Sequence, residues 1–189
     1  MDQFRKKGAF IMPTILKKYV IHILSVKVLS SDSFDLPKEE YALIVLSEDE
    51  QNPAFDLCEK SQFLRLSFED VGESNPNACS SSDAEKAFAF LNTLPDTVTD
   101  LYICCDYGES RSPAVAAAVL LASGRNDQAV WGNPYYHPNA FVFRIFCQAF
   151  GVAMSDADIS DRIRKNEQAF QNAIRHISEN EYEKWQLLF

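Results

Sequence analysis

Cys105 and Arg111 stand six positions apart within L-Y-I-C-C-D-Y-G-E-S-R-S-P-A-V-A-A-A-V-L-L-A, the stretch from Leu101 to Ala122. A thiol and a guanidinium at that spacing do chemistry together only if the chain between them turns back on itself. The surrounding residues provide for that turn. Leu101–Cys104 has the length and apolarity of a short buried strand, Cys105–Arg111 is a loop with Gly108 inside it, and an apolar helix opens near Ser112-Pro113. Loop N–H groups turned inward form a concavity for an anion, and the helix N-terminus adds partial positive charge. The fork of Arg111 can hold two oxygens of a phosphate at once. The same positive groups favour a thiolate at Cys105, which then lies beneath the anion as a nucleophile. Gly108 lets the backbone turn where a Cβ would obstruct it. The plainer alternative is a core cysteine beside a solvated arginine. A bare Cys-x5-Arg is a weak signal, and the flanking strand, glycine and helix make the case here.

The elements that must position this loop can be read on either side of it. Lys18–Leu29 is rich in β-branched residues and predicts a strand or two, with His22 as a structural residue on the pleat. Ser30–Glu39 is a polar loop. Tyr41–Leu46 is a continuous apolar run, as expected of a strand buried on both faces of a parallel sheet. The acidic loop Ser47–Pro53 follows, and Phe63–Phe68 is the next strand, ending at Glu69-Asp70-Val71-Gly72. Ser82 and Glu85 have capping-box spacing ahead of a helix whose face is Ala84, Ala87, Phe88, Leu91 and Leu94, stopped by Pro95. Gly124 ends the helix after the loop. Trp131–Asn139 is an aromatic, proline-bearing loop, and Ala140–Phe150 a buried helix. From Ser155 onward, Ile159, Ile163, Phe170, Ile174 and Ile177 mark one face of a long helix expected to pack on its own domain.

Strands alternating with helices predict an α/β fold with a central, mostly parallel sheet flanked by helices, and a C-terminal helical extension. Ligands of such sheets bind beyond the carboxyl ends of the strands, where both Asp70 and Cys105 fall. The expected division is a flexible leader over residues 1–17, an α/β domain over 18–150 and a helical extension over 151–189. The leader's basic start and apolar run outline a signal peptide, but Pro13 interrupts it, Lys17-Lys18 follow, and no small-residue cleavage site appears.

The formal charge of −9 argues against a general affinity for nucleic acid or anionic membrane. No window approaches the roughly 18 apolar residues of a membrane span. Five cysteines without paired spacing do not suggest a disulfide framework, and no His/Cys cluster suggests zinc, so a reducing cytoplasm without metal or other cofactor is expected.

The run I-C-C-D-Y-G-E-S-R-S-P-A resembles the signature loop of the cysteine-dependent protein tyrosine phosphatases, His-Cys-x-x-Gly-x-x-Arg-Ser/Thr. It is most similar to the small dual-specificity branch, including bacterial and phage-type members, in which an H-P-N loop also recurs after the signature helix. The resemblance spans Lys18–Phe150 and is specific at the loop. It implies a protein tyrosine phosphatase-like fold and hydrolysis of phosphomonoesters through a phosphocysteine at Cys105. Arg111 would clamp the phosphate, Ser112 would hydrogen-bond the sulfur, and the segment Asp106, Tyr107, Gly108, Glu109, Ser110 and Arg111 would cradle the substrate with its amides. The family's general acid, an aspartate on a loop after an earlier strand, maps to Asp70, with Glu69 as its rival. The implied partner is a phosphorylated protein or a small phosphomonoester.

Two departures from the family pattern stand out. Cys104 occupies the place of the usual histidine, and Asp106 and Glu109 put two carboxylates in the loop. Side chains pointing to solvent would discourage acidic phosphoproteins, and Glu109 turned toward Arg111 would compete with phosphate. Two further readings therefore stay open: a phosphate-binding module with little turnover, and a thiol redox protein using Cys104 and Cys105.

Overall fold

The computed structural model describes residues 16–31, 41–49 and 62–176. The leader up to residue 15, Cys58, Ile177 and parts of the loops expected over Ser30–Glu39 and Ser47–Pro53 lie outside those residues. Leu16 and Lys17, read as leader in the sequence, belong to the folded body. Leu16 is buried and its N–H donates to the Ala122 carbonyl, while the Lys17 ammonium donates to the carbonyls of Pro95, Asp96 and Val98.

Four strands, β1 (Val20–Ser25), β2 (Tyr41–Leu46), β3 (Gln62–Leu66) and β4 (Asp100–Cys105), form one sheet in the order β1-β4-β2-β3, with every pairing parallel. The α/β class with a parallel sheet flanked by helices is therefore as expected. All six residues of β2 are buried, which is what an internal strand covered on both faces requires. Alternation along β2 and β4 divides the core. Ala42, Ile44, Leu46, Leu101, Ile103 and Cys105 face the larger cluster, and Tyr41, Leu43, Val45, Tyr102 and Cys104 face the smaller one. The first face is covered by α2 (Ser81–Thr93), α3 (Arg111–Ala122) and α5 (Ala140–Ala149). On the second, among the described residues, α1 (Val26–Leu29) contributes Val26 and Leu29.

Several elements differ locally from their sequence expectation. Lys18–Leu29 is not strand throughout: the Ser25 hydroxyl accepts from the Val28 N–H and turns Val26–Leu29 into a single helical turn. Three successive serines can each cap α2, and it is Ser80 that does so, in a reciprocal box with Asp83, instead of Ser82 with Glu85. The earlier start makes Ala84 a regular helical residue in the core, beside Ala87 and Leu91. Leu94 takes the extended conformation favoured before a proline and ends the helix. Trp131 closes a short helix, α4 (Gln128–Trp131), and the loop proper begins after it. At the far end of α3, Gly124 adopts φ 71°, with its own N–H bonded to the Leu121 carbonyl and that of Arg125 to Leu120, the paired bonds of a left-handed helix stop.

The long helix α6 (Asp156–His176) forms as expected, but its docking face is different. Ile159 is buried, whereas Ile163 and Ile174 are each 47% exposed. Polar contacts anchor the helix. Arg162 makes a two-pronged bridge to the nearly buried Asp127, at 2.6 and 3.3 Å, and buried Asn166 donates to the carbonyls of Trp131, Asn133 and Tyr136. The face that meets α4 and the following loop therefore runs Ile159, Arg162, Asn166, Phe170, a spacing invisible to a purely apolar stripe. No helix among the described residues is long and apolar enough to cross a membrane.

Candidate active site

The parallel register places the loop. Cys105, last in β4, lies opposite Ser25 at the end of β1 and Leu46 at the end of β2. A loop leaving an internal strand must rise over the sheet's carboxyl edge, and α3 then descends along the face that holds the Cys105 side chain. Gly108 makes the tightest part of this turn. Its φ is 75°, and a Cβ there would lie 2.7 Å from the Ser25 nitrogen and 2.8 Å from the Leu24 carbonyl carbon. Only glycine combines that conformation with that close approach.

The Cys105 sulfur sits on the floor of the loop, 2% exposed. It accepts from the Gly108 N–H at 3.2 Å and lies 3.1 Å from the buried Ser112 hydroxyl. A backbone amide and a hydroxyl converging on one sulfur suit a thiolate or a sulfur leaving group. Cys104 points to the opposite face of β4, fully buried among Tyr41, Tyr102 and Val45, and burial pushes its thiol far above the ordinary range. Neighbours in sequence, the two sulfurs belong to different sides of the sheet.

Arg111 is the first residue of α3 and is only 4% exposed. Its Nη1 donates to the Phe68 carbonyl at 2.8 Å, and its Nη2 pairs with Asp106. Its Nε is buried and has no hydrogen-bond partner among the described residues. Leaving such a donor unpaired costs about 1–3 kcal/mol, a cost that an anion in the loop would remove. The helix terminus is open in the same sense. Ser110 stands at the N-cap, yet its side chain caps nothing, and its hydroxyl donates to Asp70 at 2.9 Å. The first-turn amides of α3 thus keep their capacity for an anion.

Asp70 reaches the loop from the turn after β3. One of its oxygens, Oδ1, accepts from both Ser110 and the Asn139 side-chain amide, at 2.9 and 2.8 Å. Glu69 turns away and accepts from the Asn77 side chain at 2.6 Å. Of the two carboxylates considered from the sequence, the structure brings Asp70 to the loop. Tyr107 and Glu109 form the exposed crest, Tyr107 being 81% exposed. The Glu109 carbonyl accepts from the His137 N–H, and the Ser110 carbonyl from that of Asn139. The H-P-N segment thus buttresses the loop and supplies Asn139 to Asp70. The sequence marks that segment as an aromatic, proline-bearing loop and does not single out Asn139; its dual use as cap of α5 and donor to Asp70 needs the folded chain.

Among the described residues, no group of three or more His, Cys, Asp or Glu side chains is placed to hold a metal ion.

No protein-family model matches this sequence, and no curated protein does. Among solved structures, the chain is similar to human DUSP28 carrying Y102H. The alignment covers 85% of this chain and 99% of that one, at 15% identity and a TM-score of 0.41. At that level of similarity, the functional reading stands on the loop's own geometry.

Proposed function

We propose that this protein is a cysteine-dependent phosphatase that hydrolyses phosphomonoesters through a phosphocysteine, with Cys105 as nucleophile. The observation that carries this reading is the convergence on one loop of the Cys105 sulfur, the buried Arg111 with its unpartnered Nε, and the uncapped N-terminus of α3. The Cys105 thiolate attacks phosphorus, the S–P bond forms, and the ester P–O bond breaks with its electron pair going to the leaving oxygen. Asp70 gives that oxygen a proton. A water then attacks phosphorus as Asp70 takes its proton back, the S–P bond breaks, and inorganic phosphate leaves. Arg111 and the amides of the loop hold the phosphoryl oxygens throughout, and Ser112 hydrogen-bonds the departing sulfur. The loop's resemblance to the dual-specificity phosphatases, in their small bacterial and phage-type branch, agrees with a phosphorylated protein or a small phosphomonoester as substrate, and five cysteines without paired spacing agree with a reducing, cytoplasmic setting.

One observation favours a second reading, a phosphate-binding module with slow turnover. Cys104 is an apolar core residue on the far face of β4, so it brings no charge or donor to the loop from the place where the family carries histidine. The redox reading loses support for the same reason, since the two adjacent thiols face opposite sides of the sheet.

The test is hydrolysis of 4-nitrophenyl phosphate without added metal, its inhibition by vanadate, and its loss in Cys105→Ser. Vanadate binding without turnover selects the binding module. Turnover unchanged in Cys105→Ser rejects the nucleophile.

A further inference from the structure

The sequence leaves two uses for the loop carboxylates: facing solvent, or, for Glu109, opposing phosphate at Arg111. Neither describes Asp106. Ser47 and Asp106 directly follow Leu46 and Cys105, the last register pair of β2 and β4. The fully buried Ser47 donates its hydroxyl to Asp106 Oδ1 at 2.8 Å, and Arg111 Nη2 donates to Oδ2. Both carboxylate oxygens are thereby engaged, and the carboxylate is pinned between the ends of β2 and α3. With Nη1 on the Phe68 carbonyl, two of the three guanidinium nitrogens are tethered by the protein, and the third, Nε, is the one left without a partner.

We propose that Asp106 is a positioning residue: held by Ser47, it fixes the guanidinium plane of Arg111 so that the Nε edge is kept for a phosphate oxygen. This rests on the phosphate-seat reading above and says how that seat is built. A planar fork fixed at two nitrogens cannot rotate about its stem, so little further freedom is lost when the anion arrives. The same contact could have the opposite sign. A carboxylate that stood in for phosphate at Arg111 would weaken anion binding, and its removal would strengthen it. The double engagement of Asp106, and the unsatisfied state of Nε in its presence, favour positioning over competition.

The experiment measures tungstate binding by calorimetry to the full chain carrying Cys105→Ser, which needs no turnover. Adding Asp106→Ala should weaken binding roughly tenfold, as loss of a charge-assisted hydrogen bond implies. Asp106→Asn, which keeps an oxygen for Nη2, should weaken it less, and so should Ser47→Ala. With Cys105 intact, Asp106→Ala should raise KM for 4-nitrophenyl phosphate more than it lowers kcat. Tighter or unchanged tungstate binding in the two Asp106 variants overturns the inference; if Asp106→Ala does not fold, Asp106→Asn and Ser47→Ala carry the comparison. Turnover in the chain with Cys105 intact, together with unchanged tungstate affinity in the variants, rejects the positioning role alone. No turnover, together with weakened affinity in the variants, rejects the phosphatase reading alone. Absence of tungstate binding to the parent Cys105→Ser chain rejects the positioning role whatever the turnover.

Discussion

Asn139 and Asp70 are joined side chain to side chain at 2.8 Å although 69 residues separate them, and the same Asn139 amide also reaches the Val71 carbonyl at 3.3 Å. The other end of Asn139 accepts from the Phe141 and Val142 N–H groups and caps α5. One asparagine therefore ties the start of a core helix to the turn that carries the proposed acid. Its two donations to that turn, with Ser110 as a third, hold Asp70 beside the loop and leave Oδ2 without a partner among the described residues.

If Asp70 acts as the acid, Asp70→Asn should slow alkyl phosphates on the order of a hundredfold and aryl phosphates much less, because only poor leaving groups need the proton. Asn139→Ser should reproduce this leaving-group pattern in weaker form. Serine keeps an oxygen to cap α5 but loses the amide donor, so the effect on stability should stay small. Steady-state kinetics on one alkyl and one aryl phosphate reads both variants. Equal losses on the two substrates would reject the positioning of Asp70 by Asn139.

Gly108→Ala tests the turn of the loop. The new methyl would meet the Leu24–Ser25 backbone at under 3 Å, and an alanine at positive φ is strained in any surroundings. The variant should be destabilised by about 1 kcal/mol or more in urea melts. Its turnover should fall further than that, roughly a hundredfold, because the Gly108 N–H that meets the Cys105 sulfur must shift with the backbone. An alanine variant with full activity would mean that the amide and sulfur are not held in a catalytic arrangement.

The local chemistry of the site was readable from residue types, and its long-range wiring was not. The apolar run Tyr41–Leu46 is the observed strand residue for residue, because a strand buried on both faces leaves no other pattern. Cys105, Gly108, Arg111 and Ser112 come together through a strand, turn and helix that are contiguous in the chain. Asp106 is different: its partner Ser47 is 59 residues away and is set by strand order, which alternation along a strand does not encode. The same holds for Asn139. At the start of α2, Ser80 and Ser82 each have an acid three residues on, Asp83 and Glu85, and the folded helix uses the first pair. On α6 the apolar spacing misleads because Arg162 and Asn166, polar by type, make the contacts that seat the helix.

Asn166 allows that last point to be measured. Its amide serves three backbone carbonyls, those of Trp131, Asn133 and Tyr136, and the residue is 6% exposed. Asn166→Leu, close to it in size, leaves those carbonyls short of donors and should cost about 2 kcal/mol in urea unfolding. Ile163→Ala, on the same helix but half exposed, should cost much less. Equal effects of the two substitutions would show that α6 is held by its apolar stripe after all.

The buried thiols make a prediction about alkaline pH. Cys79 and Cys147 are pushed up from an ordinary 9.0 to about 12, chiefly by burial. The Asp83 charge adds to the shift at Cys79, whereas at Cys147 Arg162 opposes it and Asp127 reinforces it. Below pH 9 both thiols are protonated whether the chain is folded or not, and their contribution to stability is complete. Above it, the unfolded chain releases these protons while the folded chain keeps them. The folded state then binds more protons, so stability falls as pH rises through the window up to about 12. Urea midpoints at about pH 8 and about pH 10.5, under reducing conditions, should therefore drop more for the natural chain than for the Cys79→Ala, Cys147→Ala double variant. The alanine variant loses some packing at every pH, so the difference in slope is the quantity to read. Parallel slopes would show that these thiols ionise as readily in the folded protein as in the unfolded one.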